Sequence, residues 1–370
     1  MRLANIYNLG VKEIRGLFRD TMLMILIVYS FTISVYTASR AMPDALNHAA
    51  IAIVDEDRSP LSGRIETAFY PPYFTTPKLI DISEMDRRMD AGLDTFALDI
   101  PTDFQRDLLA GRQPTLQLNV DATRMTQAFS GNGYIQSIVN SEINEFVDHS
   151  RGSARVGPDL VMRNRFNPQR DSMWFGAIVN LITSITMLAI VLTGAALIRE
   201  REHGTVEHLL VMPVTSTEIM LSKIWSMGLA VLVASAFSIT VVINGLLDVP
   251  IQGSLGLFLA GVALHLFATT SLGIFLATTA GSMPQFGMLL MLVMIPLQVL
   301  SGGVTPRESM PMIIQDIMLA APTTHFVMLG QAILFRGAGL SVVWPQFLAL
   351  IAIGGVLFAI SLRRFRAFLR

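Results

Sequence analysis

VPIQGSLGLFLAGVALHLFATTSLGIFLATTAGSMPQFGMLLMLVMIPLQVLSGGVTP, residues 249–306, runs for 58 residues without a Lys, Arg, Asp or Glu. In hydrocarbon every backbone N–H and C=O must be paired within the protein, so an uncharged stretch of about 20 residues reads as a membrane-spanning helix. This stretch is too long for one such helix and suits two, with Gly281-Ser282-Met283-Pro284-Gln285 as the break. Working outward, residues 21–39, 172–198, 224–247 and 337–362 are also free of these charges. Six spans result. The composition agrees: 52% of the 370 residues are hydrophobic and 15% charged, against about 25% charged in an ordinary globular chain. Of the 55 charged residues, 33 fall in residues 40–171, so that segment is the one part expected to fold in water.

The first span is read as an uncleaved anchor. Its apolar region exceeds the roughly 7–15 residues of a signal peptide, and no clean small-x-small site precedes Arg40. Orientation follows from the basic residues of short flanking segments. Arg2, Lys12, Arg15 and Arg19 precede the first span, Arg199, Arg201 and Lys223 flank the second and third, and Arg363, Arg364, Arg366 and Arg370 follow the sixth. With six alternating spans, all of these share one side; only Arg307 and Arg336 lie in the opposite short segments. Both termini are therefore expected in the cytoplasm, and 40–171 outside. In residues 1–20, Leu3, Ile6, Tyr7, Val11, Ile14, Leu17 and Phe18 recur at helical spacing between basic residues. That pattern fits a cytoplasmic helix in the inner interface, with a plain extension of the first span as the alternative.

Within 40–171 the period changes. Residues 50–54, 79–82, 95–100 and 115–120 read as strands, each followed by a helix candidate. Thr102 and Gln105 have capping-box spacing, Gly111 closes that helix, and a long helix over 124–149 is expected to break near Gly131 and Gly133. The expectation is a compact α/β domain. Its Asp55-Glu56-Asp57 cluster reads as a solvated turn rather than a metal site, lacking the Gly and Glu of a calcium loop. No G-x-S-x-G or H-E-x-x-H occurs, so enzymatic chemistry has no support there. A net charge of −1 removes a global electrostatic case for nucleic acid, and the absence of cysteine excludes disulfides and thiolate metal sites.

The most informative polar stretch is REREHGTVEHLLVMP, residues 199–213. Charges crowd at the end of the second span, Gly204 permits a break, and 205–212 suit two turns of helix stopped by Pro213. Thr215-Ser216-Thr217-Glu218 then has capping-box spacing at the start of the next helix. One reading is an interfacial loop with solvated charges. The other is a docking helix whose Leu209, Leu210 and Met212 fill a partner's groove and pass the partner's motion to two spans. A metal on His203 and His208 is disfavoured, because positions five apart do not share a helix face.

This motif, followed by Glu218 and Lys223, resembles the signature of ABC-2 type transporter permeases. So do IPTDFQRDLLAG (100–111), VDATR (120–124) and LSGGVTPRESMP (300–311), and the likeness covers essentially the whole chain. It implies a membrane α-helical fold of the ABC-2 exporter type: six transmembrane helices, the first over 21–39 and the others within 172–370, and an exported periplasmic α/β domain over 40–171. It implies ATPase coupling through Glu200, Arg201 and Glu202 at the charged turn, Gly204 and Thr205 at the break, Glu207, Leu209 and Leu210 on the coupling helix, and Pro213 at its end. It further implies an outer re-entrant or amphipathic segment over 301–338, interrupted by Pro306, Pro311 and Pro322. The partners implied are a cytoplasmic ABC ATPase on a separate chain and a second permease copy or paralogue. The setting is the bilayer of a bacterial inner membrane. The exported domain is equally compatible with recognising substrate, docking a periplasmic adaptor or shaping the outer gate.

Leu300-Ser301-Gly302-Gly303 spells the signature peptide of ABC ATPases, but it ends a span on the exported side and no G-x-x-x-x-G-K-[ST] phosphate loop exists in the chain. No catalytic residue, metal or directly bound cofactor is expected; ATP belongs to the partner. Within the spans, His265, Asn180 and Gln298 are possible pathway residues, although packing through interhelical hydrogen bonds, at about 0.6–2 kcal/mol each, also accounts for them. No Asp, Glu, Lys or Arg is expected deep in a span, which weighs against ion-driven transport. Met283, Met288, Met291 and Met294 form a partial stripe, either lining a conduit or packing ordinarily. The main alternative to a permease is a membrane-anchored sensor or scaffold whose exported domain binds a ligand or envelope partner, for which one span would suffice.

Overall fold

The computed structural model describes residues 2–41, 48–121, 125–151, 172–202, 204, 213–305 and 307–368. They form two compact units, Met1–Ala41 with Met173–Arg370, and Met42–Ser172. The chain opens with α1 (Leu3–Arg19), an amphipathic helix that ends at Asp20 in extended conformation. It is thus a separate helix and not an extension of the first span. Asp20 then caps α2 (Thr21–Phe31) by accepting from the Leu23 amide, and α3 (Ile33–Ala41) continues the span after a break at Thr32. Ile27, Phe31 and Val35 of this span are buried in the membrane unit's core.

The second unit is α/β. Strands β1 (Ile51–Asp55), β2 (Lys78–Leu79), β3 (Phe96–Ile100) and β4 (Gln117–Val120) form one sheet in the order β2-β1-β3-β4, parallel except for β4. Between and after them run α4 (Pro60–Thr67), α5 (Ile82–Asp90), α6 (Phe104–Leu109) and α7 (Met125–Arg151). Alternation decides the packing. Ile51, Ile53, Phe96, Leu98 and Ile100 face a core shared with α4 and α7, while Ala52, Val54 and Ala97 face Met85 of α5. A central strand enclosed on both faces reads as a continuous apolar run, which β1 does.

Three expectations change here. The strand expected over 79–82 is reduced to Lys78–Leu79, because α5 begins at Ile82. The Thr102/Gln105 box does not form; the Gln105 amide donates instead to Asp57 Oδ2 at 3.1 Å. And α7 runs unbroken through its glycines, since Gly131, Ile135 and Val139 recur every fourth residue on its buried face. That packing offsets the helix cost of the glycines, about 1 kcal/mol each, although Gly133 itself is exposed. Gly111 does end α6, with a φ of 80°. The acidic cluster is structural: Asp55 accepts from the amides of Asp57 and Arg58 and from the Ser62 hydroxyl.

The membrane unit continues with α8 (Ser172–Glu202), α9 (Ser216–Phe237, prolonged as π-helix through Ser238–Leu246), α10 (Leu255–Thr279) and α11 (Met283–Leu300). Beyond a short turn come α12 (Met312–Met318), α13 (Pro322–Gly330, prolonged as π-helix through Gln331–Phe335) and α14 (Leu340–Phe368). Among the described residues, six helices are long and apolar enough to cross a membrane. The break between α10 and α11 falls where the glycine and proline placed it, with the Gly281 amide donating to Gln285 Oε1. Residues 301–338 are not uniformly amphipathic. On α12, Met312, Ile313 and Ile317 are exposed, whereas α13 is enclosed against α10 and α14 and turns from α12 by 92°. The methionines also part company: Met288 and Met291 face outward, and Met294 is buried.

Candidate functional site

The last turn of α8 carries Arg199, Glu200, Arg201 and Glu202, and Gly204, at a φ of 69°, takes the chain out of the helix. A left-handed residue just past a helix end is where glycine costs least. His203 and residues 205–212, with Thr205, Glu207, Leu209 and Leu210, lie outside the described residues. The chain returns at Pro213, and Thr215 and Glu218 form a reciprocal capping box. The Glu218 amide donates to Thr215 Oγ1 at 3.3 Å and the Thr215 amide to Glu218 Oε2 at 2.8 Å.

Both flanks of this segment are anchored. The Arg201 guanidinium donates to the Ala280 carbonyl at 3.1 Å, and the Met283 amide donates to Glu202 Oε1 at 3.2 Å. The charged turn is thereby tied to the break between α10 and α11. On the other flank, Glu218 Oε1 accepts from the Arg2 amide, and Trp225 Nε1 donates to the Ile6 carbonyl at 3.1 Å while its ring stacks on Tyr7. Gly10 is required where α1 crosses α9, since a Cβ there would lie 2.1 Å from the Trp225 ring.

Between these anchors lies an ion cluster that reading the sequence did not find. Lys223 Nζ sits 3.0 Å from Glu13 Oε1 and 2.7 Å from Glu200 Oε2, and Lys12 Nζ approaches Glu200 Oε1 at 3.4 Å. The Lys223 side chain is 1% exposed and the two carboxylates 12% and 11%. Beside it, Arg199 pairs with Asp20. Burial pushes the Glu13 carboxyl up, with Glu200 adding to the effect and Lys223 opposing it. At Asp20 burial also works upward, but the Leu23 amide and Arg199 outweigh it and hold the carboxyl below its usual range. Lys223 is expected just outside the third span, and the structure pairs it with Glu200 at the charged end of α8. The third span's helix starts at its capping box, seven residues before Lys223, so Lys223 is enclosed by α1 and α8. The available signals were Glu13, a lone acid among the basic residues of α1, and Lys223, a lone charge in an otherwise apolar helix after Glu218.

The three polar residues of the spans do not converge. Asn180 Oδ1 accepts from Ser34 at 3.3 Å and Ser184 at 3.5 Å, tying α8 to the first span. His265 is fully buried, its Nε2 2.8 Å from Thr186 Oγ1 and its ring stacked on Phe326 at 4.1 Å. Gln298 is exposed and lines a narrow crevice with Thr183, Thr186 and Met294. Thr186 both meets His265 and lines the crevice with Gln298.

Residues 19–363 match the profile of the ABC-2 family transporter proteins. Over 98% of its length the chain is 61% identical to the inner membrane transport permease YhhJ of Escherichia coli (strain K12), covering 97% of that protein. It is 28% identical to the probable multidrug ABC transporter permease YbhR of the same organism, over 94% of each chain. To the probable multidrug ABC transporter permease YbhS, also from that strain, it is 26% identical over 89% of this chain and 88% of the relative.

Proposed function

The chain belongs to the ABC-2 transporter family and is a multi-pass inner-membrane permease subunit of an ABC transporter, and we propose that its 199–213 segment couples the spans to a cytoplasmic ATPase that drives export. Membership itself implies a partner ATPase and a paired permease. The observation that carries the coupling is the anchoring on both flanks of residues 205–212. A load applied there reaches α8 directly, α9 through Glu200–Lys223, the α10–α11 break through Arg201 and Glu202, and α1 through Glu218 and Trp225. Coupling of this kind needs a contiguous set of contacts with two arrangements. An enclosed ion cluster at the junction of three helices supports it, because Lys223 and Glu200 join α9 to α8 and Glu13 with Lys12 joins α1 to both.

In this reading Leu209 and Leu210 fill a groove of the ATPase, and Glu207 orients the contact. The basic residues of α1, of residues 199–223 and of the end of α14 keep this end of the bundle in the cytoplasm, with residues 40–171 exported. ATP is bound and hydrolysed by the partner chain. The substrate passes at the interface of two permeases, with Gln298 and Met294 at one flank, and His265 and Asn180 hold helices together behind them.

The test is reconstitution with the cognate ATPase. Glu207→Ala, and Leu209→Ala with Leu210→Ala, are expected to insert normally and to lose both export and stimulation of ATP hydrolysis. Normal export with normal stimulation in both variants would refute the coupling.

A further inference from the structure

About 38 Å along α8 from the ion cluster, at the rise of an α-helix, the bundle opens into a cavity of about 880 Å³. Its polar lining includes Arg307, Arg336, Gln315, Gln331 and Gln346; Phe175, Val342 and Val343 supply an apolar wall. No carboxylate lines it among the described residues. Arg307 reaches it past Gly302, whose φ of 92° strains any side chain and where a Cβ would lie 3.1 Å from Arg307 Cγ. The acceptors its guanidinium meets are poor. One Nη donates to the Met328 sulfur at 3.4 Å and the other to the Gln315 carbonyl at 3.5 Å, while Nε is buried with no partner. Gln346 Oε1 is likewise buried without a partner.

A guanidinium enclosed at its Nε, with weak acceptors only, is costly unless something else completes it. The planar fork of arginine matches the paired oxygens of a phosphate or carboxylate. A second arginine faces the same space, so the deficit in negative charge is local. Part of the lining is apolar, and Val342 on it is exposed. We propose that this cavity binds the oxyanion of a phosphate monoester carried on an apolar chain, with Arg307 and Arg336 on the oxygens and Phe175, Val342 and Val343 against the chain. The Leu-Ser-Gly-Gly peptide at residues 300–303 has its structural reason here, since Ser301, Gly302 and Gly303 line the floor that lets Arg307 enter.

The full chain, purified in a neutral maltoside detergent, is titrated with dodecyl phosphate and, separately, with inorganic phosphate. Arg336→Gln is expected to weaken dodecyl phosphate binding about tenfold, the size of one charge-assisted contact, and Arg307→Gln at least as much. Inorganic phosphate that binds with the same arginine dependence supports the oxyanion site and assigns it to a free anion; dodecyl phosphate alone assigns it to an amphiphile. Binding of dodecyl phosphate that neither variant changes, or no binding of either probe, overturns the proposal. Arg336 is exposed and has no partner among the described residues, so its variant keeps the fold, and Arg307→Lys preserves the charge if Arg307→Gln does not fold.

Discussion

Lys223→Met removes the cation from the enclosed cluster and leaves Glu13 and Glu200 facing the space it occupied, at contacts that were 3.0 and 2.7 Å. The two carboxylates are 12% and 11% exposed, so water only partly replaces the lost cation. Removing one member of a buried ion pair costs about 3–5 kcal/mol, chiefly the penalty of the charge left behind. Lys12, 3.4 Å from Glu200 but 57% exposed, offsets part of that, which places the expected loss toward the lower end of the range. Glu13, whose pKa is already raised by burial, is the group expected to take up a proton in the variant. A carboxyl with a raised folded pKa stabilises below its unfolded value and loses that contribution as pH rises. The defect of Lys223→Met is therefore expected to shrink as pH falls. The assay is chemical unfolding in mixed micelles followed by tryptophan fluorescence, comparing the single variant with one in which Glu13, Glu200 and Lys223 are all replaced by Met. Replacing a whole buried cluster by apolar residues is often neutral, so the triple variant is expected to recover most of the loss. A loss below about 1 kcal/mol in the single variant, or a triple variant no more stable than the single, would refute the assignment of Lys223 as a paired, enclosed charge.

Asp20→Asn keeps an oxygen for the Leu23 amide and loses the charge beside Arg199. Because the Asp20 pKa is lowered, its contribution is complete above its ordinary value of 3.8 and is lost as pH falls through the folded one. Unfolding profiles of the Asn variant are expected to be flatter across that acid range. Gly273→Ala puts a Cβ 2.8 Å from the Ile190 carbonyl oxygen where α10 crosses α8, and a thermal-shift assay is expected to register about 1–3 kcal/mol of overpacking. Gly133→Ala, exposed on α7 with nothing within 4 Å, is expected to stabilise by about 0.5–1 kcal/mol, so equal effects at the two glycines would be a failure of the packing described. His265→Phe removes one hydrogen bond to Thr186 but keeps the stack on Phe326. A cost of about 1 kcal/mol with export retained is expected; loss of export at unchanged stability would instead make His265 part of the route.

Charge spacing made the six spans legible because a bilayer penalises each unpaired polar group locally, so the run from 249 to 306 announces itself without reference to any other segment. The strands of the α/β unit were legible for a similar reason: period-two alternation is a property of neighbours along the chain. Helix ends were less so. Asp57, 48 residues upstream, caps α6 in place of Thr102, and no local pattern carries that choice. The same holds at the inner end of the bundle. Glu200, Arg201, Glu202, Glu218 and Lys223 stood out as a motif, yet Glu13, 210 positions from Lys223, joined them in one cluster only when α1 folded across α9. Composition and period determine which segments cross the membrane and which fold in water, since those depend on the free energy of transferring each residue. Which buried charges meet depends on where helices distant in sequence cross. That was settled at Gly10 against Trp225, where the absence of one Cβ lets α1 and α9 approach.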